Sequence, residues 1–183
     1  KTQDAITFLE LLTQKYDVAV ANPPYTPSDE YGEELREFVE ANYKKPVNTY
    51  ENLYACFILR CFNITEISGY ISMITPQTFM FIDSFKNLRE HILNHTFIDI
   101  LVQYGFGGIF KESVDPCFFI LKKCKPFGKS TFLKFDTTFG SSKNQVFQNI
   151  INSGSLESNR DHVFILNQKE LQAIKVHPFI FQW

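Results

Sequence analysis

The stretch Tyr16–Tyr25, which reads YDVAVANPPY, decides the fold. Its first part, residues 16–21, is a short apolar run rich in β-branched residues, which is typical of a buried strand in a parallel sheet. Pro23 and Pro24 end that strand, because a proline has no N–H to donate and its ring fixes φ near about −65°. The residue before a proline is held extended. Asn22 is therefore predicted to lie at the carboxyl end of a strand, where ligands bind in open α/β sheets.

The residues of this motif have groups that can activate and hold an aromatic amine. The exocyclic nitrogen of adenine is a poor nucleophile, because its lone pair is delocalised into the ring. The Asn22 side-chain oxygen and the Pro23 carbonyl, on a backbone that Pro24 keeps rigid, can accept the two amine hydrogens and draw the nitrogen towards tetrahedral geometry. Tyr25 offers a flat face for a base rotated out of a duplex, and such stacking predicts that its hydroxyl matters little. The alternative is an ordinary strand-ending turn with a core tyrosine.

Three later segments, together with the motif, resemble the adenine-specific DNA methyltransferases. Asn52–Phe57 (NLYACF) is similar to the family's helix after the catalytic loop, and Gly69–Gln77 (GYISMITPQ) to its next strand. Ser84–Arg89 (SFKNLR) is similar to the following helix. The family often has an acid where Asn52 stands, so the resemblance implies no electrostatic role for this residue.

Within that family, the chain most resembles the large PglX-type enzymes of BREX phage-defence systems. Phe79–Phe81 and His177–Trp183 carry this closer resemblance, which covers residues 15–123 well and the rest thinly. It implies the C-terminal half of a Rossmann-like S-adenosylmethionine-dependent methyltransferase fold, an α/β fold with a mixed sheet and flanking helices. Residues 1–136 would then belong to the catalytic domain, and 137–183 to a linker and the start of a target-recognition region.

The resemblance also implies the site residues. Asn22, Pro23, Pro24 and Tyr25 would be catalytic, and Tyr25 and Phe110 would hold the flipped adenine between them. Asn22 would also contact the cofactor, S-adenosylmethionine. Four histidines and four cysteines show no metal-ligand spacing, so no metal is expected, and the cysteines are expected to be buried free thiols.

Most of the cofactor site is expected to lie outside this sequence. In this family a glycine-rich turn after the first strand and acids on the next strands typically hold the donor, and nothing before residue 16 supplies them. The chain, which does not begin with methionine, is therefore expected to be a fragment of a longer enzyme and inactive alone. The strand at 16–21 is expected to expose an edge that can pair with another chain.

The leading hypothesis is methyl transfer from S-adenosylmethionine to the amino nitrogen of a flipped adenine in double-stranded DNA. The setting would be phage defence or restriction-modification, with other defence-system proteins as further partners. One alternative is a protein-glutamine methyltransferase, because such enzymes use the same Asn-Pro-Pro-Tyr motif on a side-chain amide. The other alternative is a non-catalytic module for DNA binding or assembly.

Composition restricts these readings only loosely. The 183 residues are 44% hydrophobic and include 20 phenylalanines, which predicts one domain with an aromatic core. The net charge of -2 lacks the basic surplus of a typical nucleic-acid module. No apolar run reaches membrane-spanning length, so no membrane partner and a cytoplasmic location are expected.

Hydrophobic periodicity predicts the remaining elements. Residues 26–49 are polar and acidic, with a helix near 30–42 that either is simply solvated or forms a mobile lid. Residues 137–160 are expected to be loop-like. The polar side chains of the helix ending near His95, including Lys86, Arg89 and His91, are expected to face solvent, with phosphate contacts by Lys86 or Arg89 as the alternative. The other elements expected are helices at 2–14 and 50–64 and strands at 69–75, 97–104 and 114–122.

Overall fold

A six-stranded mixed sheet with helices packed on its two faces forms the centre of the protein. The computed structural model describes residues 2–105, 114–135, 142–153, 161–175 and 178–179. The strands are β1 Tyr16–Ala21, β2 Thr65–Pro76, β3 Phe97–Gln103, β4 Pro116–Lys122, β5 Lys129–Lys134 and β6 Val163–Asn167. The helices are α1 Thr2–Thr13, α2 Glu33–Tyr43, α3 Leu53–Ile64, α4 Lys86–His95, α5 Ser142–Ser153 and α6 Gln168–Gln172. Short 3₁₀ turns lie at Ser28–Glu30, Gln77–Met80 and Asp83–Phe85.

The strand order across the sheet is β1-β2-β4-β3-β5-β6. β1 runs parallel to β2, β3 runs parallel to β5, and β4 is antiparallel to both β2 and β3. The carboxyl ends of β1, β2 and β3 therefore lie along one edge of the sheet, together with the start of β4. The α/β architecture predicted from the sequence is confirmed.

β1 is the terminal strand of this order, so its outer edge pairs with no strand that the structure describes. Ala19 is buried, but Val18 is 54% and Val20 73% exposed. The expectation of a fully buried strand is therefore wrong for one face of β1, and the expected free edge is found. Its inner edge approaches β2 closely, since a Cβ on Gly69 would lie 2.6 Å from the Asp17 carbonyl oxygen.

The larger core lies between one face of the sheet and the helices α3 and α4. Tyr54 and Ile58 from α3 meet Leu88 and Ile92 from α4, and Ile71 contributes from the sheet. The apolar run at 50–64 correctly predicted that α3 would be buried. Burial of this apolar area is the main stabilising contribution to the fold.

Arg89 lies in that core and not on a solvent-exposed face. Its side chain is 0% exposed, and Nη1 donates to the carbonyl oxygens of Phe79 at 2.8 Å and Ile82 at 2.6 Å. Burial lowers its pKa, and nearby Asp83 acts in the opposite direction. Both sequence-based readings of Arg89, as a solvated residue or a phosphate contact, are therefore wrong. Arg89 instead fixes the turns between β2 and α4, because it satisfies two of their carbonyls.

His91, which the sequence placed on the same solvated face, is half-buried. Its ring stacks on His95 with centroids 4.6 Å apart and meets the Phe62 ring edge-on at 4.5 Å. Nε2 is buried and has no hydrogen-bond partner among the described residues. Burial, helped by His95 and Lys123, lowers the pKa of His91 to about 4.

Two lysines stabilise the carboxyl end of α3. Lys123 Nζ donates to the carbonyls of Phe62 at 2.8 Å and Thr65 at 2.7 Å, and Lys15 Nζ donates to the Asn63 carbonyl. Burial lowers the pKa of Lys123. A cation at a helix carboxyl end is favourable because the last carbonyls carry a partial negative charge.

The opposite face of the sheet is covered by α5, where the sequence predicted loop. Ile150 of α5 packs against Val102, Leu133 and Val163. The loop expectation is therefore wrong for residues 142–153.

The sheet also continues past residue 136. β6 pairs antiparallel with β5, and the backbone N–H of Phe179 donates to the Met80 carbonyl at 2.9 Å. Described parts of 137–183 thus pack with the sheet, while the assignment of this region to a linker and a target-recognition region stays a prediction.

Three of the four cysteines are buried, as the sequence predicts. Cys56, Cys61 and Cys117 are buried free thiols, whereas the free thiol of Cys124 is half-exposed. None of the helices within the described residues is long and apolar enough to cross a membrane. Where the chain is described, no three histidine, cysteine or acidic side chains are grouped so that they could hold a metal ion.

Candidate active site

The Asn22–Tyr25 motif leaves the sheet at the carboxyl end of β1, as the sequence predicts. The last register pair joins Ala21 to Met73, so Asn22 emerges beside the end of the parallel strand β2. Asn22 and Pro24 are exposed, Pro23 is buried and Tyr25 is half-buried. The four residues therefore form one short segment that is anchored at Pro23 and open at Asn22.

The Tyr25 side chain turns back towards Asn22. Its hydroxyl donates to Asn22 Oδ1 at 3.0 Å, and it lies 3.5 Å from the Ile74 carbonyl oxygen at the end of β2. Burial, with a smaller contribution from Cys117, raises the pKa of Tyr25, so the phenol stays protonated and able to donate. The hydroxyl thus has a defined partner in the motif, which the sequence did not predict.

A short set of hydrogen bonds, which we call the clamp, fixes the backbone after the motif. The clamp joins residues 25–28 to residues 51–53, just before α3. Leu53 N donates to the Thr26 carbonyl at 3.0 Å, and Ser28 N donates to the Glu51 carbonyl at 2.9 Å. Pro27 and Asn52 form an antiparallel bridge between these bonds. The start of α3 is therefore held against the motif.

Tyr54, in the first turn of α3, packs against the Tyr25 ring from the core side. The two rings meet edge-on, with centroids 6.5 Å apart and planes at 89°. Tyr54 is 1% exposed, its hydroxyl lies 2.8 Å from Thr78 Oγ1, and its ring lies 5.7 Å from that of Phe85. Burial raises the pKa of Tyr54. Sequence reasoning assigned it no role, although it lies within the NLYACF segment that carries the resemblance.

A polar pair lies at the same edge, where β2 ends and β4 begins. Gln77 Nε2 donates to Asp115 Oδ2 at 2.9 Å, and Gln77 N donates to the Asp115 carbonyl at 2.9 Å. Gln77 Oε1 and Asp115 Oδ1 are buried without a partner in the described part of the chain. Phe110 lies outside the described residues, so its role in holding adenine stays a prediction.

The described residues do not form a complete S-adenosylmethionine site. Of the elements that the structure describes, only α1 precedes β1, and no strand leads through a glycine-rich turn into a helix. An apolar cavity of about 380 Å³ between the sheet and α5, lined by Ile100, Val102 and Phe147 among others, includes no residue of the motif. At the motif, the described residues present the exposed Asn22 amide beside the half-buried Tyr25 ring.

Comparison with solved structures identifies the fold. A protein of Listeria monocytogenes assigned to the class I S-adenosylmethionine-dependent methyltransferases matches with a TM-score of 0.57 and 17% identity. That match covers 76% of this chain and 43% of that one. The methyltransferase subunit of a type I restriction-modification system from Streptococcus thermophilus matches with a TM-score of 0.63 and 13% identity, covering 91% of this chain and 37% of that one. The fold is therefore that of class I S-adenosylmethionine-dependent methyltransferases.

The family follows from the sequence match. The family model described as Eco57I restriction-modification methylase matches residues 1–110, more than half of the sequence, and the chain belongs to that family. The adenine-specific methyltransferase BrxX of Escherichia coli O9:H4 (strain HS) is 31% identical over 115 residues, 61% of this chain and 9% of that protein. The adenine-specific methyltransferase PglX of Lacticaseibacillus casei (strain Zhang) is 28% identical over 176 residues, 93% of this chain and 14% of that protein. The chain thus spans only a small part of these relatives, and the resemblance seen in the sequence is confirmed.

Proposed function

We propose that this chain is the acceptor-side part of an adenine-specific DNA methyltransferase. It acts within a longer polypeptide that transfers a methyl group from S-adenosylmethionine to the amino nitrogen of an adenine flipped out of double-stranded DNA. The observation that carries the proposal is the 3.0 Å hydrogen bond between the Tyr25 hydroxyl and Asn22 Oδ1, at the carboxyl edge of the sheet. It joins a flat aromatic ring to an exposed amide acceptor.

We assign Asn22 and Pro23 the role of accepting hydrogen bonds from the amino group of the adenine. An amide oxygen has two lone pairs, so Asn22 Oδ1 can keep the Tyr25 hydroxyl on one and accept an amine hydrogen on the other. The Pro23 carbonyl accepts the second hydrogen. Both bonds draw the nitrogen lone pair out of conjugation with the ring. When bound, S-adenosylmethionine would supply a methyl group on a positively charged sulfur. As the new C–N bond forms, the C–S bond would break, the sulfur would leave as a neutral thioether, and the amine nitrogen would lose one proton to solvent.

Tyr25 is assigned to the base as a stacking surface. Enzymes that modify a base take it out of the helix and hold it by stacking and hydrogen bonds. The half-buried Tyr25 ring, supported by Tyr54 at 6.5 Å, is fixed beside the amine acceptor. Phe110 is assigned to the other side of the base on resemblance alone.

The setting we propose is restriction-modification or phage defence in the cytoplasm, with other defence-system proteins as further partners. Support comes from the relatives: BrxX and PglX are named as adenine-specific methyltransferases, and RM.Eco57I of Escherichia coli, 26% identical over 122 residues, is named as a restriction enzyme and methyltransferase. These names favour DNA over a glutamine side chain as acceptor. Apart from a contact by Asn22, donor binding is assigned to parts of the polypeptide outside the motif. Target recognition is also assigned to parts outside the motif.

The test uses the longer polypeptide with S-adenosylmethionine that carries a labelled methyl group. Unmethylated duplex DNA and total cell protein are offered as separate acceptors, and mass spectrometry identifies the modified base. We expect N6-methyladenine in DNA and no label in protein. Asn22→Ala removes an exposed side chain, so we expect loss of methylation while the free energy of unfolding changes by about 1 kcal/mol or less. Label in protein alone, or full activity of Asn22→Ala, would contradict the proposal.

A further inference from the structure

Asn52 makes two hydrogen bonds that point in different directions. Its Oδ1 accepts from the backbone N–H of Tyr54 at 3.2 Å, which caps the first turn of α3. Its Nδ2 donates to the Tyr25 carbonyl at 3.3 Å. One side chain therefore connects the start of α3 to the last residue of the Asn-Pro-Pro-Tyr motif.

These two bonds of Asn52 also help to fix the distance between the aromatic rings of Tyr25 and Tyr54. Tyr25 and Tyr54 each have a backbone group bonded to Asn52, and their rings meet edge-on with centroids 6.5 Å apart. The Tyr54 ring has no room to move away from Tyr25, because it is 1% exposed and packs against Phe79 and Phe85. The two bonds of Asn52 thus set where the Tyr25 backbone lies relative to a fixed support.

In this chain the amide of Asn52 meets both requirements, and neither an aspartate nor a serine would keep both bonds. An ionised aspartate accepts hydrogen bonds but has no hydrogen to donate, so it would cap α3 and place a negative oxygen beside the Tyr25 carbonyl. A serine would also cap α3 but lacks the second polar group needed to reach Tyr25. Helix capping and support of the motif are therefore separable by substitution.

We propose that Asn52 is a positioning residue for methyl transfer. Through the Tyr25 carbonyl it fixes the ring on which the adenine stacks and, through the Tyr25 hydroxyl, the acceptor oxygen of Asn22. Reacting groups displaced by about 1 Å lose much of their rate advantage, so this support affects the rate of the chemical step more than the stability of the fold. The inference rests on the proposed function.

The experiment compares Asn52→Ser and Asn52→Asp in the longer polypeptide with a matched control, Asn167→Ser. Asn167 caps α6 with a bond from Lys169 N at 3.0 Å, so it has the same residue type and the same capping role away from the motif. Three quantities are measured for each variant. They are the unfolding midpoint, kcat with KM for duplex DNA, and the emission of 2-aminopurine placed at the target adenine, which reports flipping and stacking.

We expect all three variants to unfold close to the wild-type midpoint. Asn52→Ser should lower kcat about five- to tenfold, the effect of losing roughly one hydrogen bond, with a smaller change in KM. Asn52→Asp, which introduces the acid that the family often has here, keeps the cap and loses only the donor, so it should lower kcat by a similar factor. Both should change 2-aminopurine emission in the DNA complex, whereas Asn167→Ser should change neither quantity.

Two results would overturn the inference, and they are distinguishable from failure of the proposed function. The first is wild-type kcat and wild-type 2-aminopurine emission in Asn52→Ser. The second is a loss of kcat in both Asn52 variants that merely follows a loss of folded protein. If Asn52→Ser folds poorly, Asn52→Asp decides, since a carboxylate is as good a cap as an amide. A wild-type polypeptide that methylates no DNA would overturn the proposed function itself, and this inference with it.

Discussion

The Tyr25 hydroxyl donates a hydrogen bond to Asn22 Oδ1 across 3.0 Å. The bond joins the first and last residues of the motif and closes a small ring through the two prolines. Because burial raises the pKa of Tyr25 above its ordinary value, the hydroxyl keeps its proton at neutral pH and can donate this bond. The proposed stacking surface and the proposed amine acceptor are therefore joined by a direct hydrogen bond.

We expect Tyr25→Phe to reduce methylation less than Tyr25→Ala does. Tyr25→Phe keeps the ring and loses the bond to Asn22, so kcat should fall about threefold to tenfold, the range for one neutral hydrogen bond. Tyr25→Ala also loses stacking worth about 1–3 kcal/mol, so methylation should nearly disappear. Methylation rates and unfolding curves measured on the same preparations of the longer polypeptide check both.

The opposite pattern would remove Tyr25 from the site. If Tyr25 is only a core residue, Tyr25→Ala should cost about 3–5 kcal/mol of unfolding free energy, with activity per folded molecule unchanged. Equal kcat in wild type and Tyr25→Phe would show that the hydroxyl does not orient Asn22.

A second prediction concerns the buried Arg89. Arg89→Met removes the donor that satisfies the Phe79 and Ile82 carbonyls, so the free energy of unfolding should fall by about 3 kcal/mol. Lys86→Met, at an exposed position on the same helix, should change it by about 0.5 kcal/mol or less. Urea denaturation followed by circular dichroism measures both. Equal stability of the two variants would mean that the carbonyls find other partners.

A third prediction concerns pH and His91. Its folded-state pKa of about 4 lies below the ordinary 6.5, so between these values the unfolded chain binds the proton more strongly. The stability that the neutral ring provides is complete above pH 6.5 and is lost as pH falls towards 4. We expect His91→Gln, which has no charge to gain, to lose less stability across this window.

Unfolding free energies at several pH values between 7.5 and 4 give the test for His91. The neighbouring groups His95 and Lys123 are kept unchanged, because both disfavour a charge on His91. Parallel pH profiles for wild type and His91→Gln would show that the ring titrates normally in the folded protein.

A fourth prediction concerns the free edge of β1. The outer edge of β1 has no partner strand among the described residues, and such an edge is a template for pairing with another strand. Val20, on the open face of this strand, is 73% exposed. The isolated chain should therefore self-associate, and Val20→Lys should weaken association. Asn42→Lys, which adds the same charge at an exposed position on α2, should not. Sedimentation velocity at several concentrations distinguishes them. A monomer at all concentrations would contradict the prediction.

The elements nearest the motif were predictable from sequence because their signals are local. The two prolines after an apolar run defined the end of β1, and the apolar segment at 50–64 defined α3. Arg89 was misread because its charge was given more weight than its position. Its spacing from Phe85, Ile92 and Leu93 places it on the apolar stripe of α4.

Other features depend on partners far away in sequence. Asn52 bonds to a residue 27 positions earlier, so its side-chain chemistry alone did not reveal the second bond. The exposure of β1 depends on which strands are neighbours, and an apolar run does not specify them. α5 was hidden by its asparagines, serines and glutamines, although Val146, Phe147 and Ile150 have helical spacing.

The clamp has a consequence for how such enzymes can diverge. Ser28 N bonds to the Glu51 carbonyl, so the acidic excursion between residues 29 and 50 leaves and rejoins the fold at almost one point. Tyr31 and Val39 of this segment also pack against Cys56 of α3. Changes in the exposed acidic side chains of the segment can therefore leave Asn22 and Tyr25 in place, whereas changes at Tyr31 or Val39 would disturb α3. The anchoring of this loop, at its base and on α3, thus lets its exposed charges vary independently of the position of the motif.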